Sequence, residues 1–247
     1  MLEFKMNNHL GGFVSSQEKI VKMFDSISKS YDLVNRVLTF GIDKRWRRKS
    51  IKNAFSLLNN RNLKVVDVAC GTGDMIEIWK NESKKRKINI EIYGVDPSEG
   101  MLKIAKKRFP EITFYKDFAD NLPFDENTID AISISFGIRN VVDFDSAIKE
   151  FYKVLKNNGI LIILEFTKAE KNHKLRELID FYSNNVLPKI GGILSKNKEA
   201  YEYLPKSIDR FYTPSEMIQK IENFGFKLKN FTSFNLGQVS LFIFQKN

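Results

Sequence analysis

Cysteine and histidine are scarce in this sequence. One cysteine, Cys70, and two histidines occur among 247 residues. A single cysteine excludes a disulfide within the chain, and so few soft ligands argue against a transition-metal centre. We therefore predict no metal site and a location in the reducing cytoplasm.

Long apolar runs are also missing. No stretch approaches the roughly 18 apolar residues of a membrane span, and residues 1–12 lack the apolar core of a secretory signal. The sequence contains no repeat, low-complexity tract or Pro/Gly/Ser-rich linker. With 43% hydrophobic residues, it is expected to form one compact unit with additions.

Hydrophobic periodicity divides the chain into two parts. Residues 1–62 predict a helical segment that covers the rest as a cap or lid, with helices at 17–29 and 44–58. Residues 63–247 alternate between strand and helix. The predicted strands are 63–69, 90–96, 112–115, 129–136, 160–166, 226–234 and 238–245. The predicted helices follow Gly73 and Ser98, and then span 144–155, 171–187 and 214–224. This order predicts an α/β fold, a doubly wound, Rossmann-like seven-stranded sheet with an antiparallel edge hairpin.

A glycine turn follows the first predicted strand. Residues 65–74 read Val-Val-Asp-Val-Ala-Cys-Gly-Thr-Gly-Asp, and Asp96 ends the second strand. Such an acid can accept hydrogen bonds from a ribose diol at the carboxyl edge of a parallel sheet. A dinucleotide fingerprint would need glycine where Ile76 stands, and no Lys-Ser/Thr pair marks a phosphate loop. A nucleoside without pyrophosphate remains, and S-adenosylmethionine fits; the alternative is an ordinary tight turn.

Together these segments resemble a class I S-adenosylmethionine-dependent methyltransferase, and four of them resemble one family more narrowly. That family is the ubiquinone/menaquinone biosynthesis C-methyltransferases. The similar segments are Tyr31–Trp46, Ser135–Asn140, Val154–Thr167 and Tyr201–Ile208. They occur in the family's order, with compatible spacing from about residue 17 to the end.

Several positions depart from the family pattern. Asp43 stands where histidine is usual, and Asn157-Asn158 stand where Pro-Gly is usual. Phe118 occupies a position that is usually Asn or Asp and that often holds the adenine. Asp117 beside it is the candidate replacement.

The resemblance implies a reaction and a set of site residues. The chain would move a methyl group from S-adenosylmethionine to a ring carbon of a prenylated quinol, in menaquinone synthesis, ubiquinone synthesis or both. Tyr31, Asp32, Arg139 and Asn140 are the catalytic candidates, and Arg139 would stabilise a phenolate rather than take a proton. The donor-binding candidates are Asp67, Gly71, Thr72, Gly73, Asp96, Asp117, Phe118, Ala119 and Ser135.

Other readings stay open. Arg139 could merely pair with Asp143 at the surface, and the acceptor could be another small molecule. The net charge of +10 also suits RNA, although a covalent RNA mechanism would need a cysteine outside the glycine turn. We predict no nucleic-acid partner, peripheral contact with the inner face of the cell membrane, and a possible homodimer. The densest basic run, residues 84–87, is also typical of the solvent-exposed C-terminal end of a helix.

Overall fold

The computed structural model describes residues 3–39, 41–170 and 198–247. Seven strands form one sheet in the order β3-β2-β1-β4-β5-β7-β6. Their bounds are Asn62–Val68 (β1), Asn89–Val95 (β2), Thr113–Tyr115 (β3), Ile129–Ser135 (β4), Leu155–Phe166 (β5), Phe226–Phe234 (β6) and Val239–Lys246 (β7). The first five are parallel, and β7 runs antiparallel to both β5 and β6. The predicted fold class is confirmed.

Helices lie on both sides of the sheet. They are Glu3–Leu38 (α1), Asp43–Phe55 (α2), Asp74–Arg86 (α3), Glu99–Arg108 (α4), Phe144–Val154 (α5), Lys198–Arg210 (α6) and Pro214–Glu222 (α7). Their apolar faces and the sheet form two buried cores. Trp79 is fully buried in one, and Phe151 is fully buried in the other. Both strand faces are covered, which explains why β4 and β5 are apolar almost throughout.

Some boundaries differ from the predicted ones. The residues Asn157 to Gly159 were predicted to break a helix before a strand at 160. Instead β5 begins at Leu155, and its register against β4 shifts at these residues. Asn158 has a φ of 64°, so the break is accommodated as an irregularity inside the strand. The predicted helix at 171–187 lies outside the described residues.

One helix is longer than the sequence pattern predicted, and another was not predicted. α1 covers 36 residues rather than 17–29. α6 contains Pro205 in its interior, although proline in a sequence usually indicates the end of a helix. None of the helices formed by the described residues is long and apolar enough to cross a bilayer.

Helix α1 is fastened to the start of α4. Asp25 Oδ1 accepts hydrogen bonds from Ser98 Oγ at 2.6 Å and from the Gly100 amide at 2.9 Å. A Cβ at Gly100 would lie 3.0 Å from Ser28 Oγ, so glycine permits the close approach. The N-terminal segment therefore lies directly over the carboxyl edge of the sheet. The division of the chain at residue 62 stays a prediction.

Candidate active site

A cavity of about 360 Å³ opens at the carboxyl edge of the sheet. Its floor is formed by the segments that follow β1, β2, β3 and β4, and α1 covers it. Nine of the thirteen predicted site residues line this cavity. They are Tyr31, Gly71, Thr72, Asp96, Asp117, Phe118, Ala119, Ser135 and Asn140.

The turn after β1 depends on left-handed backbone. Ala69, Gly71 and Gly73 have φ values of 49°, 55° and 91°. Gly73 also lies so close to Phe109 that a Cβ would come within 2.7 Å of the ring. Glycine is therefore required at position 73 for conformation and space, although Gly73 is not among the residues that line the cavity.

Asp96 joins the glycine turn to the loop after β2. Its Oδ2 accepts from the Gly71 amide and its Oδ1 from the Ser98 amide, each at 2.8 Å. Burial raises the pKa of Asp96 to about 6. Because each carboxylate oxygen can accept more than one hydrogen bond, Asp96 can hold the turn and still bind a diol in the cavity.

Asp67 lies beneath the turn rather than in the cavity wall. Its Oδ1 accepts from Ser133 Oγ at 2.6 Å, and Ser133 in turn accepts from the Trp79 indole. Burial raises its pKa to about 7. Asp67 is 1% exposed and does not line the cavity. It is therefore placed to support the turn from below rather than to contact a ligand in the cavity.

The segment after β3 presents an aromatic ring at the cavity mouth. Asp117 Oδ1 accepts from the Phe118 amide at 2.9 Å and from Asn121 Nδ2 at 3.0 Å. Phe118 is 39% exposed, whereas Ala119 is buried. The Asp117 carboxylate is thus already used to shape the loop, and Phe118 offers a face on which a flat base can stack.

Helix α1 closes the opposite side through Gln17. Its side chain accepts from the Val142 amide at 3.0 Å and donates to the Asn140 carbonyl at 3.4 Å. The Asn140 side chain is buried and accepts from Tyr203 Oη at 3.1 Å. Neither Gln17 nor Tyr203 was a predicted site residue, because both contacts join segments far apart in the chain.

Arg139 is buried against a carboxylate. It forms an ion pair with Glu165, donates from Nη1 to the Phe136 carbonyl at 3.1 Å, and donates from Nε to Ser207 Oγ at 3.3 Å. The surface alternative, pairing with Asp143, is wrong, because Asp143 caps α5 through Ser146. A lone acid within the apolar strand β5 was the sequence signal for this partner.

The predicted catalytic acid Asp32 faces the glycine turn. It accepts from Thr72 Oγ1 at 2.7 Å and lies 3.6 Å from Arg108. Burial, with Asp74 nearby, raises the pKa of Asp32. Asp32 and Arg139 are therefore not among the residues that line the cavity. Tyr31 does line it, and burial raises the pKa of Tyr31.

Asp43 explains one departure from the family pattern. It is buried and accepts from Thr39, Arg36 and Arg47. Arg36 also pairs with Asp74. Although burial alone would raise the pKa of Asp74, the arginines Arg47 and Arg36 lower it. The carboxylate that replaces histidine thus ties α1 and α2 to the start of α3.

Comparison with known proteins shows the family of this chain. A family model described as the ubiE/COQ5 methyltransferase family matches residues 13–246. The chain belongs to this family. The ubiquinone/menaquinone biosynthesis C-methyltransferase UbiE of Campylobacter jejuni is 49% identical over 94% of this chain and 100% of its own length. The demethylmenaquinone methyltransferase of Chlorobaculum tepidum is 38% identical over 86% of each chain. The family resemblance predicted from the four segments is confirmed.

Solved structures share the fold at low identity. A S-adenosylmethionine-dependent methyltransferase of Thermotoga maritima has a TM-score of 0.63 and 20% identity, and covers 92% of this chain and 100% of its own. The [4+2]-cyclase SpnF has a TM-score of 0.66 and 16% identity, and covers 94% and 96%. The fold alone thus hosts more than one chemistry, so the site must carry the argument for function.

Proposed function

We propose that this protein transfers a methyl group from S-adenosylmethionine to a ring carbon of a prenylated quinol. The observation that carries the proposal is the 49% identity with a curated C-methyltransferase along nearly the whole chain. The acceptor is a demethylmenaquinol, the 2-polyprenyl-6-methoxy-1,4-benzoquinol of ubiquinone synthesis, or both.

The cavity residues suit the donor in a definite order. Asp96 would accept from the ribose hydroxyls, since its carboxylate lines the cavity. Phe118 would stack on the adenine, in place of the polar contact usual in the family. The Gly71 backbone, Thr72 and Ser135 would surround the rest of the molecule. These assignments follow from position at the crevice of a parallel sheet.

The reaction needs alignment more than acid–base power. When bound, the donor supplies an electrophilic methyl carbon on its sulfonium. The quinol oxygen loses its proton to water, the ring carbon beside it bonds to that methyl carbon, and the carbon–sulfur bond breaks to leave a neutral thioether. The methylated carbon then loses its proton, also to water, which restores the aromatic ring. The protein's part is to orient the ring and exclude bulk water. Tyr31 and Asn140, which line the cavity near the segment after β4, would do this.

Other acceptors are less well supported by the site. The basic run at residues 84–87 ends α3 and directly precedes β2. It therefore lies at the amino edge of the sheet, on the far side from the cavity, where bound RNA would not reach the donor. Another small molecule stays the second candidate acceptor.

The direct test is an assay with a donor carrying a deuterated methyl group. A demethylated prenylated quinol, kept reduced, should gain one labelled methyl group on a ring carbon, as seen by mass spectrometry and NMR. Total RNA, incubated in parallel, should stay unlabelled. Labelled RNA with unlabelled quinol would contradict the proposal.

Arg139 would act on the acceptor's charge. Its guanidinium lies behind the wall segment Phe136–Asn140 and is compensated by Glu165. Removing the arginine alone would leave a buried carboxylate without its partner, a loss that destabilises proteins strongly. The role is therefore best separated from folding by removing both charges together.

The double substitution Arg139→Met/Glu165→Gln should fold and keep donor affinity but lose turnover. The loss should be on the order of 100-fold or more, as for removal of a preorganised oxyanion partner. Calorimetry with the donor and turnover with the quinol measure the two quantities separately. Arg139→Lys keeps the positive charge, so its turnover should lie between that of the double variant and that of the unmodified protein. Near-normal turnover of the double variant would rule the role out.

We also propose that the carboxyl edge of the sheet contacts the membrane. The acceptor's isoprenoid tail stays in the bilayer, so the cavity must face it. Leu33, 60% exposed, follows Asp32 beside the glycine turn. Leu236, 57% exposed, lies in the β6–β7 turn, next to the end of β5. Both exposed apolar side chains are thus at the carboxyl edge of the sheet, the edge at which the cavity opens. A homodimer stays a prediction.

Vesicle co-sedimentation tests this surface. The protein should pellet with anionic vesicles at low salt and less at high salt, since each basic residue near an anionic leaflet contributes roughly 1 kcal/mol. Leu236→Asp should weaken binding, whereas Lys84→Glu, at the opposite edge, should leave it unchanged. Equal pelleting with neutral and anionic vesicles, or a larger effect of Lys84→Glu, would argue against this orientation.

A further inference from the structure

The cavity wall contains a buried guanidinium that is not fully paired. Arg47 of α2 is 5% exposed and lines the cavity. Its Nη1 donates to Asp43 Oδ2 at 2.7 Å, while its Nε has no hydrogen-bond partner among the described residues. Buried polar groups normally have hydrogen-bond partners, so this guanidinium in the cavity wall keeps unused donor capacity.

The charge of Arg47 stands out in this cavity. Among the lining residues that the structure describes, it is the one cation, and the acids are Glu18, Asp74, Asp96, Asp117, Asp120 and Asp143. Its ion-pair partner Asp43 is shared with Arg36, which also pairs with Asp74, so two arginines and two carboxylates form one cluster behind this wall. A ligand carboxylate that enters this acidic cavity is attracted to Arg47 and repelled elsewhere.

Arg47 lies at the end of the cavity away from the nucleoside residues. Its guanidinium carbon is 4.9 Å from the centre of the Phe136 ring, which directly follows β4. Asp96 follows β2, and Asp117 to Ala119 follow β3. In the sheet order β3-β2-β1-β4, with strands about 4.8 Å apart, adenine over β3 and ribose at β2 direct the rest of the donor toward β1 and β4.

We infer that Arg47 binds the α-carboxylate of the donor's methionine part. This inference rests on the proposed function, because it takes S-adenosylmethionine as the ligand. The planar guanidinium matches a carboxylate geometrically, and a charge-assisted pair shielded from water is strong. Arg47 is then a positioning residue that fixes the amino-acid end of the donor and so holds the methyl group toward the acceptor.

Titration calorimetry with two donors tests the assignment. S-adenosylmethionine and its decarboxylated analogue differ by the one carboxylate. The unmodified protein should bind the analogue about 10- to 100-fold more weakly, the range expected for a hydrogen bond to a charged group. Arg47→Met should weaken binding of S-adenosylmethionine but not of the analogue, so the ratio of the two dissociation constants falls to one or below.

Arg36→Met is the matched control, because Arg36 shares Asp43 yet does not line the cavity. It should keep the unmodified protein's ratio. Circular dichroism shows whether each variant folds, and Arg47→Lys, which keeps the charge, should give an intermediate ratio if Arg47→Met does not fold. The inference is overturned if the unmodified protein binds both donors equally, or if folded Arg47→Met keeps the discrimination. An unmodified protein that binds neither donor would instead overturn the proposed function.

Discussion

One carboxylate, that of Asp96, organises the carboxyl edge of the sheet. By accepting from the Gly71 and Ser98 amides, it fixes the turn after β1 relative to the start of α4. Ser98 and Gly100 are in turn held by Asp25 of α1. The floor of the cavity and the helix that covers it therefore meet at adjoining hydrogen bonds. A change at Asp96 is expected to disturb turn, helix and ligand together.

Buried charge is distributed around this edge in compensated groups. Glu165 neutralises Arg139, and Asp43 bridges Arg36 and Arg47. Such pairs cost desolvation energy, so they are poor evidence of stability in themselves. Their value here is orientation, since each pair holds a loop or helix against the cavity. Arg47 differs from the others because it lines the cavity and part of its hydrogen-bonding capacity is unused among the described residues.

The sequence predicted the sheet well, for a physical reason. Strands covered on both faces are apolar runs, and a glycine turn followed by an acid marks the crevice of a parallel sheet. Local patterns predicted less where distant contacts decide the structure. Asp67 looked like a ligand but is paired with Ser133 from β4. The Glu165 partner of Arg139, the role of Gln17 and the length of α1 all depend on residues far away in the chain.

The sharpest measurement is the pH dependence of donor affinity. Burial raises the pKa of Asp96 to about 6, and in the proposed site only its ionised form would accept from both ribose hydroxyls. Affinity measured by calorimetry between pH 5 and 7 should therefore rise with pH through about 6 in the unmodified protein. It should be weaker and nearly independent of pH in Asp96→Asn, while Asp67→Asn should keep the rise. Equal affinity at every pH in the unmodified protein, or an Asp96→Asn variant that matches it, would contradict this account.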